Sequence, residues 1–227
     1  MPAARRAATR KRTSSSILVL QLDSTKLEAD GLDLVPFTEL VASIAPRAQM
    51  TIVRGTTLHE LLRQLAELHG QKFDVISVIG HSNERGIVLG AGRQVDSWEA
   101  FAQYLKPFEP RRLALIACRA GRALPSRVLF SALPKLRRIF ATPVLADRVQ
   151  GQVMLALLPY ILERKVPPRT ALRTVQAGLA LLRGRQLWEW RRTDFERNRD
   201  DPFAPLVEDM LADIGGHLLG QLRGRGA

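Results

Sequence analysis

Two apolar runs, FDVISVIG at residues 73–80 and LALIAC at residues 113–118, decide how this chain is read. Each is short, rich in β-branched or aliphatic residues and bounded by charge or glycine, the pattern of a strand buried on both faces of a parallel sheet. Each also ends on a residue that can do chemistry. The first delivers His81, and the second delivers Cys118, the single cysteine of the chain. Open α/β sheets collect ligands and reacting groups at the carboxyl ends of their strands. An imidazole and a thiol at two such ends are a candidate base and nucleophile.

Working outward, ILVLQL at 17–22 predicts the first strand, and residues 50–53 predict the second. The spacing of Val35, Leu40, Val41 and Ile44 predicts a helix over 34–44. Thr57 is placed to cap the next helix with Glu60 three residues on, as in a capping box. Leu58, Leu61, Leu62, Leu65 and Leu68 would line one of its faces, with Gly70 at its end. After the strand at 73–79, residues 87–89 and 94–95 flank Gly90-Ala91-Gly92 as a small hairpin. Asp96 or Ser97 caps a helix to Leu105, and residues 113–117 are the fourth strand. A weak helix over 122–133, interrupted by Pro125, leads to a fifth strand at 138–141. Helical patterns follow at 149–164, 170–182 and 206–222, with no element assigned to the charged, Trp-bearing stretch 186–198. This alternation of strands and helices predicts an α/β protein with a mostly parallel sheet.

Composition bounds the function. The 227 residues are 46% hydrophobic and 25% charged, which suits one sizeable core with an extension. One cysteine excludes an internal disulfide and a cysteine-rich zinc site. A reducing, cytoplasmic compartment is the expectation. No apolar run reaches the length of a membrane span, so no membrane partner is expected. The net charge is +12, and discounting Arg5, Arg6, Arg10, Lys11 and Arg12 leaves +7. That balance opens a role with nucleic acid through a basic surface, although no helix-turn-helix, zinc-finger or aromatic RNA-binding pattern accompanies it. The acid-free, Arg-rich start also fits a transit peptide. An untargeted disordered tail over 1–16 is the expectation, because no other feature points to an organelle.

Two motifs compete for the chemistry. Gly80-His81-Ser82-Asn83-Glu84 resembles the G-x-S-x-G elbow of serine hydrolases, with Ser82 as nucleophile and His217 as a distant base. An elbow needs a helix directly after the serine, and a hairpin is predicted there instead. The second motif is Ala117-Cys118-Arg119-Ala120-Gly121, with His81 standing 37 positions before Cys118. It is similar to the caspase signature Q-A-C-[RQG]-G, whose histidine lies about 50 residues upstream. The run from His81 through Glu84, Gly86, Ile87, Val88 and Gly90 resembles the caspase stretch after the catalytic histidine. Gln94-Val95-Asp96 resembles the step that opens the next caspase helix, and Ala171–Ala177 resembles a helix common in CHAT domains.

The resemblance is to caspase-like (clan CD) cysteine peptidases, including the bacterial CHAT branch. It implies a caspase-like three-layer sandwich with a mostly parallel sheet over 17–182 and a helical C-terminal extension, 183–227, packed on it. It implies a cysteine endopeptidase, a hydrolase that cleaves a protein substrate with a His81/Cys118 dyad. The backbone N–H groups of Ser82 and Cys118 would form the oxyanion hole, and no metal or organic cofactor is called for. An activating or sensor protein is expected, in a bacterial antiviral defence or cell-death pathway. Asp147, in the loop after the fifth strand, is the candidate for binding a basic substrate side chain. Ser82 stands where the family carries glycine, so a glycine-only torsion would be strained there. Ile116 stands where caspases carry Gln and metacaspases Asp, so neither cleavage preference carries over. The runner-up from another class is a catalytically silent caspase-like interaction module.

Overall fold

The computed structural model describes residues 15–22, 48–89, 94–141 and 188–197. The elements are β1 (Ser15–Leu22), β2 (Ala48–Gly55), α1 (Leu58–Glu67), β3 (Val75–Ile79), β4 (Gly86–Leu89), β5 (Gln94–Ser97) and α2 (Trp98–Leu105). They continue with a 3-10 turn (Lys106–Phe108), β6 (Arg112–Ile116), α3 (Ala123–Ala132), β7 (Arg138–Ala141), β8 (Trp188–Arg191) and α4 (Arg192–Arg197). Six strands form one sheet in the order β2-β1-β3-β6-β7-β8. The first five run parallel, and β8 pairs antiparallel with β7. β4 and β5 form the expected antiparallel hairpin. The protein is therefore α/β with a mostly parallel sheet.

Burial explains why the central strands read as unbroken apolar runs. Leu18, Leu20, Leu22, Ile76, Val78, Leu113, Leu115 and Ile139 share one core with Leu61 and Leu65 of α1, Trp98, Phe101 and Leu105 of α2, and Leu129 and Phe130 of α3. Ile17, Val19, Val75, Ile79, Ala114 and Phe140 alternate with them along the strands, so they point to the other face, and they are buried too. A sheet covered on both faces favours parallel pairing and continuous hydrophobicity. Each large side chain removed from water in this way contributes about 1.5–3 kcal/mol.

Several local expectations are refined. Thr57 caps α1 by accepting the Glu60 N–H at 3.2 Å. The Glu60 carboxylate returns to the N–H and hydroxyl of Thr56, both at 2.9 Å, one residue earlier than a standard capping box. Those two bonds, the backbone one first, hold the Glu60 carboxyl below its usual range. Leu62, assigned to the inner face of α1, is exposed, whereas Leu61 and Leu65 are buried. Ser97, not Asp96, caps α2, while Asp96 accepts the Tyr104 hydroxyl at 2.6 Å. Pro125 does not interrupt α3. It lies in the first turn, where its missing N–H breaks no intrahelical bond.

The sheet also takes in residues read differently from sequence. Ser15 and Ser16, placed in the disordered tail, open β1, and Ser16 N–H donates to Asp74 at 3.1 Å. Within the stretch read as a helical extension, Trp188–Arg191 is a strand, followed by the short α4. The Arg192 guanidinium clamps that segment down. It donates to the carbonyls of Leu136 at 2.6 Å, Leu133 at 2.7 Å and Phe130 at 2.8 Å, and lies over the Phe130 ring. Phe195 stacks on the same ring. The helices predicted at 34–44, 149–164, 170–182 and 206–222 lie outside the described residues, as do the glycine turn and most of the tail. No helix among the described residues is long and apolar enough to cross a membrane.

Candidate functional site

β3 and β6 are hydrogen-bonded neighbours in parallel, with Ile79 opposite Ile116. The Gly80 N–H extends the pairing by donating to the Ile116 carbonyl at 3.2 Å. His81 and Cys118 therefore follow equivalent strand ends at one edge of the sheet. Parallel neighbours lie about 4.8 Å apart, so the loops that follow run side by side.

The His81 loop is braced from below. The His81 carbonyl accepts the Val88 N–H at 2.8 Å, and the Asn83 N–H donates to the Gly86 carbonyl at 3.0 Å. These bonds flank an antiparallel bridge between Ser82 and Ile87, which leaves the Ser82 N–H outside the ladder. The Asn83 side chain accepts the N–H groups of Arg85 and Gly86 at 2.8 and 3.1 Å, an Asx turn. Buried Trp98 donates its indole N–H to the Asn83 carbonyl at 3.3 Å. At Gly86 an added Cβ would lie 1.8 Å from the Asp96 carbonyl oxygen, so only glycine lets the hairpin close.

The Cys118 loop is a tight turn. Ala117, Ala120 and Gly121 are buried, while Cys118 is half-buried and carries a free thiol. Ala120 N–H donates to the Ala117 carbonyl at 3.3 Å, and Arg122 N–H to the Arg119 carbonyl at 3.1 Å. Arg119 takes the left-handed region, at φ 57°. α3 begins only at Ala123, so Cys118 sits in the turn ahead of the helix rather than at its N-terminus. Oxyanion stabilisation from this side would come from turn N–H groups, not from the helix dipole.

Side-chain contacts join the loops. The Ser82 hydroxyl donates to the Cys118 carbonyl at 2.5 Å. Farther out, Arg119 pairs with Glu84 at 3.1 Å, both about half exposed. His81 is half-buried, with its Nε2 shut off from solvent. Ser82 is not among the described non-glycine residues with positive φ, so the strain expected there is absent and falls on Arg119 instead. Neither is Ser82 on a nucleophile elbow, since a bridge and a hairpin follow it where an elbow needs a helix.

Asp147 and His217 lie outside the described residues. Sequence reasoning missed the Ser82 strut, the Glu84–Arg119 pair and the Trp98 brace. Of these surroundings only the Asx turn had a local signal, Asn83 shortly before Gly86. No group of three or more His, Cys, Asp or Glu among the described residues could hold a metal ion. A cavity of about 120 Å³ lies at the other end of the strands, lined by Lys106, Glu109, Pro110, Leu133, Pro134 and Lys135. No protein-family model matches this chain and no curated protein matches it, so the caspase-like resemblance rests on its own residues, chiefly those around His81 and Cys118.

Proposed function

We propose that the chain is a caspase-like cysteine endopeptidase in which Cys118 is the nucleophile and His81 the general base. The observation that carries this reading is the adjacency of β3 and β6, whose parallel register and Ser82–Cys118 hydrogen bond bring the two loops together. In this chemistry His81 takes the thiol proton, and the Cys118 sulfur attacks the scissile carbonyl. The Ser82 and Cys118 N–H groups receive the developing oxyanion. The C–N bond then breaks, His81 returns the proton to the leaving amine, and water hydrolyses the thioester. A partner protein that reshapes the loops would serve as activator, and the substrate is a polypeptide.

The test is the reactivity of Cys118 toward a thiol-directed peptide electrophile, followed by mass spectrometry across pH 5–9. The wild type should label at least tenfold faster near neutral pH than the His81→Ala variant, because a neighbouring imidazole raises the thiolate fraction. Cys118→Ala should remove all labelling. Equal rates in wild type and His81→Ala would favour the silent interaction module.

A further inference from the structure

We infer that the sheet edge opposite His81 and Cys118 is a docking surface for the phosphodiester backbone of duplex nucleic acid. Three Arg-Arg pairs lie side by side there. Arg111-Arg112 opens β6, Arg137-Arg138 opens β7, and Arg191-Arg192 joins β8 to α4. Their backbones interlock. Arg137 and Arg138 N–H donate to the Arg111 carbonyl at 2.9 and 3.3 Å, and Arg192 N–H donates to the Arg137 carbonyl at 3.0 Å. Arg112 is registered against Arg138, and Arg138 against Arg191, so these three stand in a row across adjacent strands.

Like charges directly opposite one another in a sheet are destabilising. Burial pushes the Arg112 guanidinium below its usual value, and the charges of Arg138, Arg111 and Arg137 push the same way, opposed by Asp74. Two further acids at this edge are described: Glu109, bracketed by Lys135 at 2.6 Å and Lys72 at 3.3 Å, and Glu196, 3.7 Å from Arg192. The edge is thus net positive. Arg192 is committed to backbone carbonyls and to Glu196, and Arg138 and Arg191 make other interactions. Arg111 and Arg137, which are exposed, are the groups that present charge outward.

Guanidinium forks match phosphate oxygens bidentately. Single-strand binders add exposed aromatic platforms, and peptide sites add apolar anchors. The exposed large apolar side chains found among the described residues, Ile52, Leu62, Val95 and Leu124, are not aromatic, and none lies in the segments that open β6 and β7. Exposed guanidinium groups at the openings of β6 and β7, without an exposed aromatic in those segments, suit a duplex backbone read for its phosphates.

The experiment is fluorescence anisotropy of the full chain with a labelled DNA duplex of mixed sequence, across 50–200 mM salt. Arg111→Gln with Arg137→Gln should weaken binding at least tenfold at the lowest salt and reduce the log K against log salt slope by about 2. Arg63→Gln, on the exposed face of α1, should change neither. Arg111→Lys with Arg137→Lys should retain the slope, which guards against a folding artefact. The proposal is overturned if the double Gln variant binds as wild type does, or if Arg63→Gln causes the same loss. It is also overturned if polyglutamate displaces the duplex as effectively as unlabelled duplex does, which would assign the edge to an acidic protein.

Discussion

The Ser82 hydroxyl is bonded to the carbonyl oxygen of Cys118, so the residue after the candidate base holds the backbone of the candidate nucleophile. Ser82→Ala removes that strut and should lower stability by about 1 kcal/mol, the net worth of one hydrogen bond. The larger effect is expected on reactivity. Electrophile labelling of Cys118 should slow in Ser82→Ala while the denaturation midpoint moves only slightly. A large stability loss with unchanged labelling would make Ser82 a folding residue alone.

Gly86 tolerates no side chain, because a Cβ would lie 1.8 Å from the carbonyl oxygen of Asp96 and backbone cannot yield as a side-chain tip can. Gly86→Ala should cost about 3 kcal/mol, in the upper range for a backbone clash. Thermal denaturation measures it. Because Asn83 N–H donates to the Gly86 carbonyl, the same change should slow Cys118 labelling by displacing the His81 loop.

Arg192 donates to three carbonyls at the end of α3 and before β7, a geometry that a single ammonium cannot reproduce. Arg192→Ala should cost about 3 kcal/mol, since it removes the guanidinium donors from the Phe130 and Leu136 carbonyls and leaves Leu133 only the Leu136 N–H. Arg192→Lys should recover less than half of that in urea unfolding. Full recovery by lysine would show that charge, not the planar fork, secures α4.

Tyr104 is pushed up to about 12, by burial first and by its hydrogen bond to Asp96 second. Its folded value lies above the unfolded one, so its contribution is fully present below about pH 10. It is lost as pH rises from about 10 to 12, because the unfolded chain gives up the proton first. Urea midpoints at pH 8 and pH 11 should diverge more for wild type than for Tyr104→Phe, which lacks that proton.

What could be read from the residues follows from where each strand sits. The central strands β1, β3 and β6 are buried on both faces, so their apolar runs stood out and led to His81 and Cys118. Trp188–Arg191 escaped because an antiparallel edge strand alternates, here Trp, Glu, Trp, Arg, and four residues of period two carry little signal amid charge. The two outer residues of β2 on either side, Ala48-Gln49 and Arg54-Gly55, were missed for a similar reason, as that strand forms the other edge. The bracing of the site depends on contacts distant in sequence, such as Ser82 with Cys118 and Trp98 with Asn83. Spacing along one chain does not encode those pairs.

β8 is drawn from far along the chain, with Trp188 opposite Ala141, and this sets an order of assembly. The β4–β5 hairpin is local and can form within about 1–10 μs. β8 must instead close a long interval, a cost that grows only logarithmically with length and falls more on rate than on final stability. During synthesis β7 emerges well before β8, the strand it pairs with on that side. An unpaired strand edge is where chains pair with one another. A chain that ends before residue 188 lacks the strand that pairs with β7, whereas one that reaches Arg192 also carries the clamp that holds β8 in place.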